Sequence, residues 1–120
     1  MSIDASEVTQ LGRKLLVAST LTFAGAKAVV EKAALNVKND ARQRASGIRH
    51  APSYPSSIQY EMVGIQAEIG PEVGGPQWGL GDILEYGTPN SAPHPHLMPA
   101  AQKELPVMEK FLVDLATKAL

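Results

Sequence analysis

The chain contains no cysteine, which removes disulfides, thiolate metal sites and cysteine nucleophiles together and leaves the redox compartment unread. Aromatic residues make up only 5% of the 120, so a core has to be assembled mainly from Ala, Val, Leu and Ile. Neither sign of charge prevails: 11 basic against 12 acidic side chains give a net charge of -1. Wrapping nucleic acid through its phosphates needs a clear basic excess. That role is disfavoured, while a neutral wall past which DNA travels stays compatible. Long apolar runs are missing as well. Leu15 to Ala18 is the most apolar stretch near the N-terminus, and Asp4 and Glu7 precede the first base, Arg13. Neither a signal peptide nor a membrane span fits, so a soluble protein without membrane contact is expected.

Proline is absent from residues 5–46, where Ala, Leu, Val and Lys abound, as helix requires. Phe23, Ala26, Val30, Ala33, Val37 and Ala41 recur at spacings of three and four and fall on one stripe. Lys27, Glu31, Lys38 and Arg42 lie largely outside it. Gly12, Gly25 and the β-branched run at Ser19–Thr22 weaken the middle. The expectation is a first helix near 5–18 and a longer one near 23–46, joined with or without a kink, with Gly47 as the stop.

Eight of the nine prolines and eight of the ten glycines crowd into residues 47–99. Within that zone Ile58–Val63 and Ile65–Ile69 alternate apolar and polar around Gly64, the pattern of a β-hairpin. Strands near 58–63 and 65–70 should turn Ile58, Tyr60, Ile65, Ala67 and Ile69 toward the helices. Pro71–Gly81 reads as a loop carrying the only tryptophan, and Leu80–Tyr86 as a short apolar element of open type. Pro89, Pro93, Pro95 and Pro99 make the next segment extended. A last helix spans 99–120, with Ala101, Leu105, Met108, Leu112, Leu115 and Ala119 on one stripe; Pro106 kinks it or marks its true first turn. With 44% hydrophobic and 19% charged residues, the chain reads as one globular domain over 1–120. Its expected class is α+β: a small antiparallel sheet packed against long N- and C-terminal helices.

Candidate chemistry is thin. His94-Pro-His96, with Asp82 or Glu85 nearby in sequence, is a conceivable metal pair. The surrounding prolines spoil the strand geometry that would aim both rings to one side, so no metal or other cofactor is expected. There is no Gly-x-Ser-x-Gly or Ser-x-x-Lys, and the glycines at 74, 75, 79 and 81 lack a following Gly-Lys-Ser/Thr. No catalytic residue is assigned. Tyr54, Trp78 and Leu80 lie in proline-bounded loops, where they are interface candidates because aromatic and large apolar anchors dominate association. For Trp78 the alternative is a cap folded back on its own core.

One segment stands out. Leu84-Glu85-Tyr86-Gly87-Thr88 reads as a turn whose glycine is free to take positive φ, with Tyr86 packed on a helix. Leu97-Met98-Pro99-Ala100 reads as the start of a helix, with Pro99 in its first turn. Together with Ala51-Pro52 and the strand opening Ser57-Ile58, and in that order over residues 24–120, these resemble the neck or minor-tail proteins of siphophages, the family related to lambda minor tail protein Z. The chain departs from the family at Ser53–Ser56 and at His96, where an aromatic ring is usual. The resemblance implies a non-enzymatic subunit of the phage head-to-tail junction, part of the virion. It also implies a homo-oligomeric ring between head-closure and tail-terminator or tail-tube proteins, surrounding the DNA channel, with Glu85, Tyr86, Gly87, Thr88, Pro99 and Ala100 as structural residues. A tail terminator or head-closure protein is the nearest rival, and a small hydrolase or toxin-like module a remote one.

Overall fold

The computed structural model describes the backbone of residues 5–119 and the side chains of residues 23–118. Three helices and one hairpin follow in the order α1 (Ala5–Arg44), β1 (Ile58–Val63), β2 (Gln66–Pro71), α2 (Gly81–Tyr86) and α3 (Leu97–Ala119), with 3-10 turns at Tyr54–Ser57 and Trp78–Leu80. The class is mixed helix and strand, a two-stranded antiparallel sheet set against long N- and C-terminal helices. Ala119, expected on the inner stripe of α3, has its side chain outside the described residues.

The expected break between residues 18 and 23 does not occur: α1 is one helix of 40 residues. Ser and Thr cost a helix only tenths of a kcal/mol each, and extending an existing helix needs no new nucleus. Such a helix is about 60 Å long at 1.5 Å per residue, and it dominates the 70 Å long axis of the molecule. Ala26, Ala33, Val37 and Ala41 are buried as the stripe requires, whereas Phe23 is exposed. The helix stops at Arg44, and Gly47 follows at φ +79°.

α3 runs back along α1. A Cβ on Gly25 would come within 2.8 Å of the Leu115 methyls, and Asn36 donates to Glu104 at 2.9 Å. Pro106 lies inside α3, which continues past it; neither a first turn nor a break falls there.

The hairpin pairs Ile58 with Pro71, Tyr60 with Ile69, Met62 with Ala67 and Val63 with Gln66. Gly64, at φ +64°, opens the two-residue turn Gly64-Ile65, the usual way to match strand twist. Ile65 therefore leaves the strand and is exposed, contrary to the expected register start, while Ile58 is fully buried and Tyr60, Ala67 and Ile69 are half-buried. The core lies where the open end of the hairpin meets the helices: Val37, Ala41, Ala45, Ala51, Tyr54, Ile58 and Ala100, with Ile69, Leu80, Leu84 and Leu97 against it. Small residues on α1 let the Tyr54 ring come close, which is how a core with few aromatics fills its space.

Candidate functional site

The polar groups converge at one place, where the end of α1, the Tyr54–Ser57 turn, α2 and the start of α3 meet. An α-helix begins with four backbone N–H groups that have no partner within it. At the start of α3 these belong to His96, Leu97, Met98 and Pro99. The Glu85 carboxylate accepts two of them, from His96 at 3.1 Å and from Leu97 at 2.7 Å. Pro99 removes a third, having no N–H. Glu85 is itself buried and is held at the end of α2, so a short helix anchors the start of a long one. A carboxylate at a helix N-terminus is also favoured by the helix dipole.

His96 is fully buried. Its Nδ1 lies 3.0 Å from the His94 carbonyl and 3.6 Å from a Glu85 oxygen, both acceptors, so Nδ1 carries the proton. Its Nε2 then accepts the Tyr54 hydroxyl at 2.7 Å, and the two rings meet edge to face with centroids 5.2 Å apart. Burial, reinforced by the negative charges of Glu85 and Asp82, pushes the Tyr54 pKa from 10.0 to about 12, which keeps the hydroxyl a donor. His94 points elsewhere: its Nε2 meets the Arg44 carbonyl at 2.7 Å and closes the C-terminal end of α1. The two histidine rings thus serve two different helix ends. Among the described residues no three His, Asp or Glu side chains gather as a metal cluster, and no helix is long and apolar enough to cross a membrane.

Around this clamp the segment after Glu85 is tightly built. Gly87 sits at φ +76°, ψ -179°, and a Cβ there would lie 2.8 Å from Pro93 N and Ser91 O. Thr88 and Ser91 exchange backbone hydrogen bonds of 2.9 and 3.1 Å, and His94 donates its N–H to the Leu84 carbonyl at 2.6 Å. Ala100 is buried in the core, one residue after Pro99.

Two expectations are corrected. Tyr86 does not pack on a helix but stands 71% exposed, because a six-residue helix has one inner face and Gly81 and Glu85 occupy it. Tyr54 is no surface anchor: its 3-10 turn drives the ring inward, where it is fully buried. Leu80 turns toward the core and Trp78 remains 42% exposed. Gln77 positions Trp78 by bridging two loops, accepting the Ser53 N–H at 2.8 Å and donating to the His50 carbonyl at 3.3 Å. Sequence reasoning did not find the Tyr54–His96 pair: the two residues stand 42 positions apart, beyond the reach of any local pattern.

All three members of the Tyr54–His96–Glu85 array are sealed and committed to one another or to backbone groups, so its chemistry is to hold α3, not to reach a substrate. Tyr54→Phe leaves His96 Nε2 unpaired in the interior and should cost about 1–3 kcal/mol at neutral pH. A raised tyrosine pKa contributes stability that is complete below pH 10 and is lost as pH rises through about 12, since the unfolded chain ionises first. Urea titrations from pH 8 to 12 should therefore show the gap between parent and Tyr54→Phe shrinking over the upper two units; a gap independent of pH would contradict the raised pKa of the buried hydroxyl.

Comparison of the chain with models of protein families, with characterised proteins and with solved structures returns no match.

Proposed function

We propose that the chain is a structural subunit of a bacteriophage head-to-tail junction, joining head to tail as part of a homo-oligomeric ring around the DNA channel, with no catalytic step of its own. One observation carries the reading: the two motifs behind the resemblance form a single physical unit. Glu85 of Leu84–Thr88 holds the first amides of the helix that Leu97–Ala100 begins, and Gly87 lets the intervening turn close on Pro93. Glu85 stands twelve positions before Leu97, so the contact joins two motifs that the chain keeps apart.

The surface agrees with an assembling part. Trp78, Ile83 and Tyr86 are large and exposed on the segment beside the clamp, a group suited to a neighbouring head-closure or tail protein. A net charge of -1 neither grips passing DNA nor repels further copies strongly. The test is Trp78→Ala in the phage that carries this gene. The purified variant should melt like the parent, while filled heads and finished tails accumulate separately. Normal yields of tailed, infectious particles would remove Trp78 from the interface, and normal assembly by a phage lacking the gene would remove the function.

A further inference from the structure

The hairpin has two open edges, and its register tells which backbone groups they carry. Val63 and Gln66 flank the two-residue turn and face each other. From that pair outward, every second residue turns its N–H and C=O to the partner strand, and the residues between turn theirs away. The same phase continues past the strand end, where the Glu72 N–H reaches the Ser57 carbonyl at 2.8 Å. The outward groups therefore belong to Ala67 and Ile69 on β2 and to Ile58, Tyr60 and Met62 on β1. Among the described residues, the outward groups of Tyr60, Met62, Ala67 and Ile69 take no further backbone hydrogen bond. The β1 edge is closed at its start, where Arg42 donates to the Ile58 carbonyl at 2.9 Å, and Lys38 stands 5.6 Å over the Tyr60 ring.

The β2 edge borders a groove of about 410 Å³, floored by Val30, Ala34 and Val37 of α1 and walled by Leu105 and Met108 of α3. The groove takes in residues of β2 and none of β1, so β2 is the strand on the side of α3. Among the described residues its one charged lining residue is Glu104. The other face of the hairpin is acidic. Glu61 and Glu68 are paired directly across the strands, both are exposed, and among the described residues neither takes part in an ion pair. Like charges so placed destabilise a sheet. Glu72 joins them around a concavity of about 480 Å³. Residues 51–102 hold five acids and neither Lys nor Arg, so a net charge near zero conceals a local excess of one sign.

We propose that the β2 edge receives an extended segment of another protein in which apolar residues alternate with Lys or Arg. A strand added to an exposed edge gains affinity from main-chain hydrogen bonds and specificity from its alternate side chains. The outward groups of Ala67 and Ile69 supply the ladder, the apolar side chains descend into the groove, and the basic ones stand on the other face beside Glu68. A third strand also supports a two-stranded sheet, which is marginal by itself. Charge selects both the edge and the occupant. Lys38 and Arg42 oppose a basic segment at β1. A second copy offering its own hairpin would set Glu61 or Glu68 beside Glu68. The contact does not depend on the junction reading; within that reading the segment belongs to a head-closure or tail neighbour.

The experiment is amide hydrogen exchange, read by NMR on the full-length protein, with a short peptide alternating valine and lysine as the probe and one alternating valine and glutamate as the control. The valine–lysine peptide should slow exchange at Ala67 and Ile69 and leave Tyr60 and Met62, on the other edge, unchanged. The valine–glutamate peptide should change neither edge. By fluorescence anisotropy, Glu68→Lys should weaken the valine–lysine peptide about tenfold, the scale of turning a cross-strand attraction into a repulsion. Ala67→Pro removes an outward N–H that the β1–β2 ladder does not use and should abolish binding, while Met62→Pro, at the paired position on β1, should bind like the parent. If circular dichroism shows a proline variant unfolded, the exchange pattern of the parent and the exposed Glu68→Lys decide alone. No binding of the valine–lysine peptide at millimolar concentration, equal binding of the two peptides, protection at Tyr60 and Met62 instead, or an unchanged affinity in Glu68→Lys would each overturn the proposal. The outcome is separable from the phage result: normal phage assembly without the gene would end the junction reading and leave this contact standing, and a peptide that does not bind would do the reverse.

Discussion

Glu85→Ala should destabilise the protein by about 2–4 kcal/mol, because it strips partners from two N–H groups at the start of α3, each worth about 1–3 kcal/mol when left buried and unpaired. Glu85→Gln should cost roughly half as much: its amide oxygen can still accept one N–H, but its NH2 group then confronts the other donor. The exposed neighbour Asp82→Asn serves as the control and should stay within about 0.5 kcal/mol of the parent. A domain of this kind has only about 5–15 kcal/mol in total, and among the described residues few large side chains are fully buried. Glu85→Ala should therefore lower the urea midpoint far enough to be seen without extrapolation. Hydrogen exchange supplies the residue-level check: the amides of His96 and Leu97 should lose protection in Glu85→Ala before those of α1 do. A midpoint equal to the parent's, or loss of protection spread evenly over the chain, would mean that the two hydrogen bonds do not hold α3.

How far the sequence foretold this arrangement depends on the range of the physics involved. The hairpin was legible because alternation around Gly64 is a local signal with a period of two. The α1 stripe was legible for the same reason at the helical period. The continuity of α1 was not: Gly12, Gly25 and Ser19–Thr22 lower propensity, but propensity is a weak prior against cooperative extension. Tyr54 and Tyr86 exchanged roles because each was judged by its neighbours in the chain. Tyr54, an expected interface anchor in a proline-bounded loop, is buried, while Tyr86, expected to pack on a helix, is exposed. Which of two adjacent side chains faces in is set by the phase of a six-residue helix, and that is too short to show a period. The clamp depends on partners 11 to 42 residues apart in sequence, which no local pattern encodes.

Gly87→Ala separates the two reasons a glycine can be required. Its φ of +76° with ψ near 180° lies in a region used almost only by glycine, where another residue carries about 1–3 kcal/mol of strain. Space is also lacking, since the new Cβ would lie 2.8 Å from Pro93 N and 2.8 Å from Ser91 O. Both are backbone atoms of a turn closed by the Thr88–Ser91 pair, so they cannot move aside as a side-chain tip would; forcing atoms into a filled site costs about another 1–3 kcal/mol. The sum expected for Gly87→Ala is roughly 2–5 kcal/mol. Gly47 offers the comparison, because its φ is +79° and nothing stands within 4 Å of a Cβ there. Gly47→Ala should carry only a strain cost, about 1 kcal/mol. The clash also has a direction: a turn pushed open at Ser91–Pro93 carries His94 away from the Leu84 and Arg44 carbonyls it binds, loosening the same clamp that Glu85 holds. Gly87→Ala and Glu85→Ala should then combine to less than the sum of their separate costs, as coupled sites do. Strict additivity between them, or equal melting temperatures for Gly87→Ala and Gly47→Ala, would show that the turn and the helix start are not one unit.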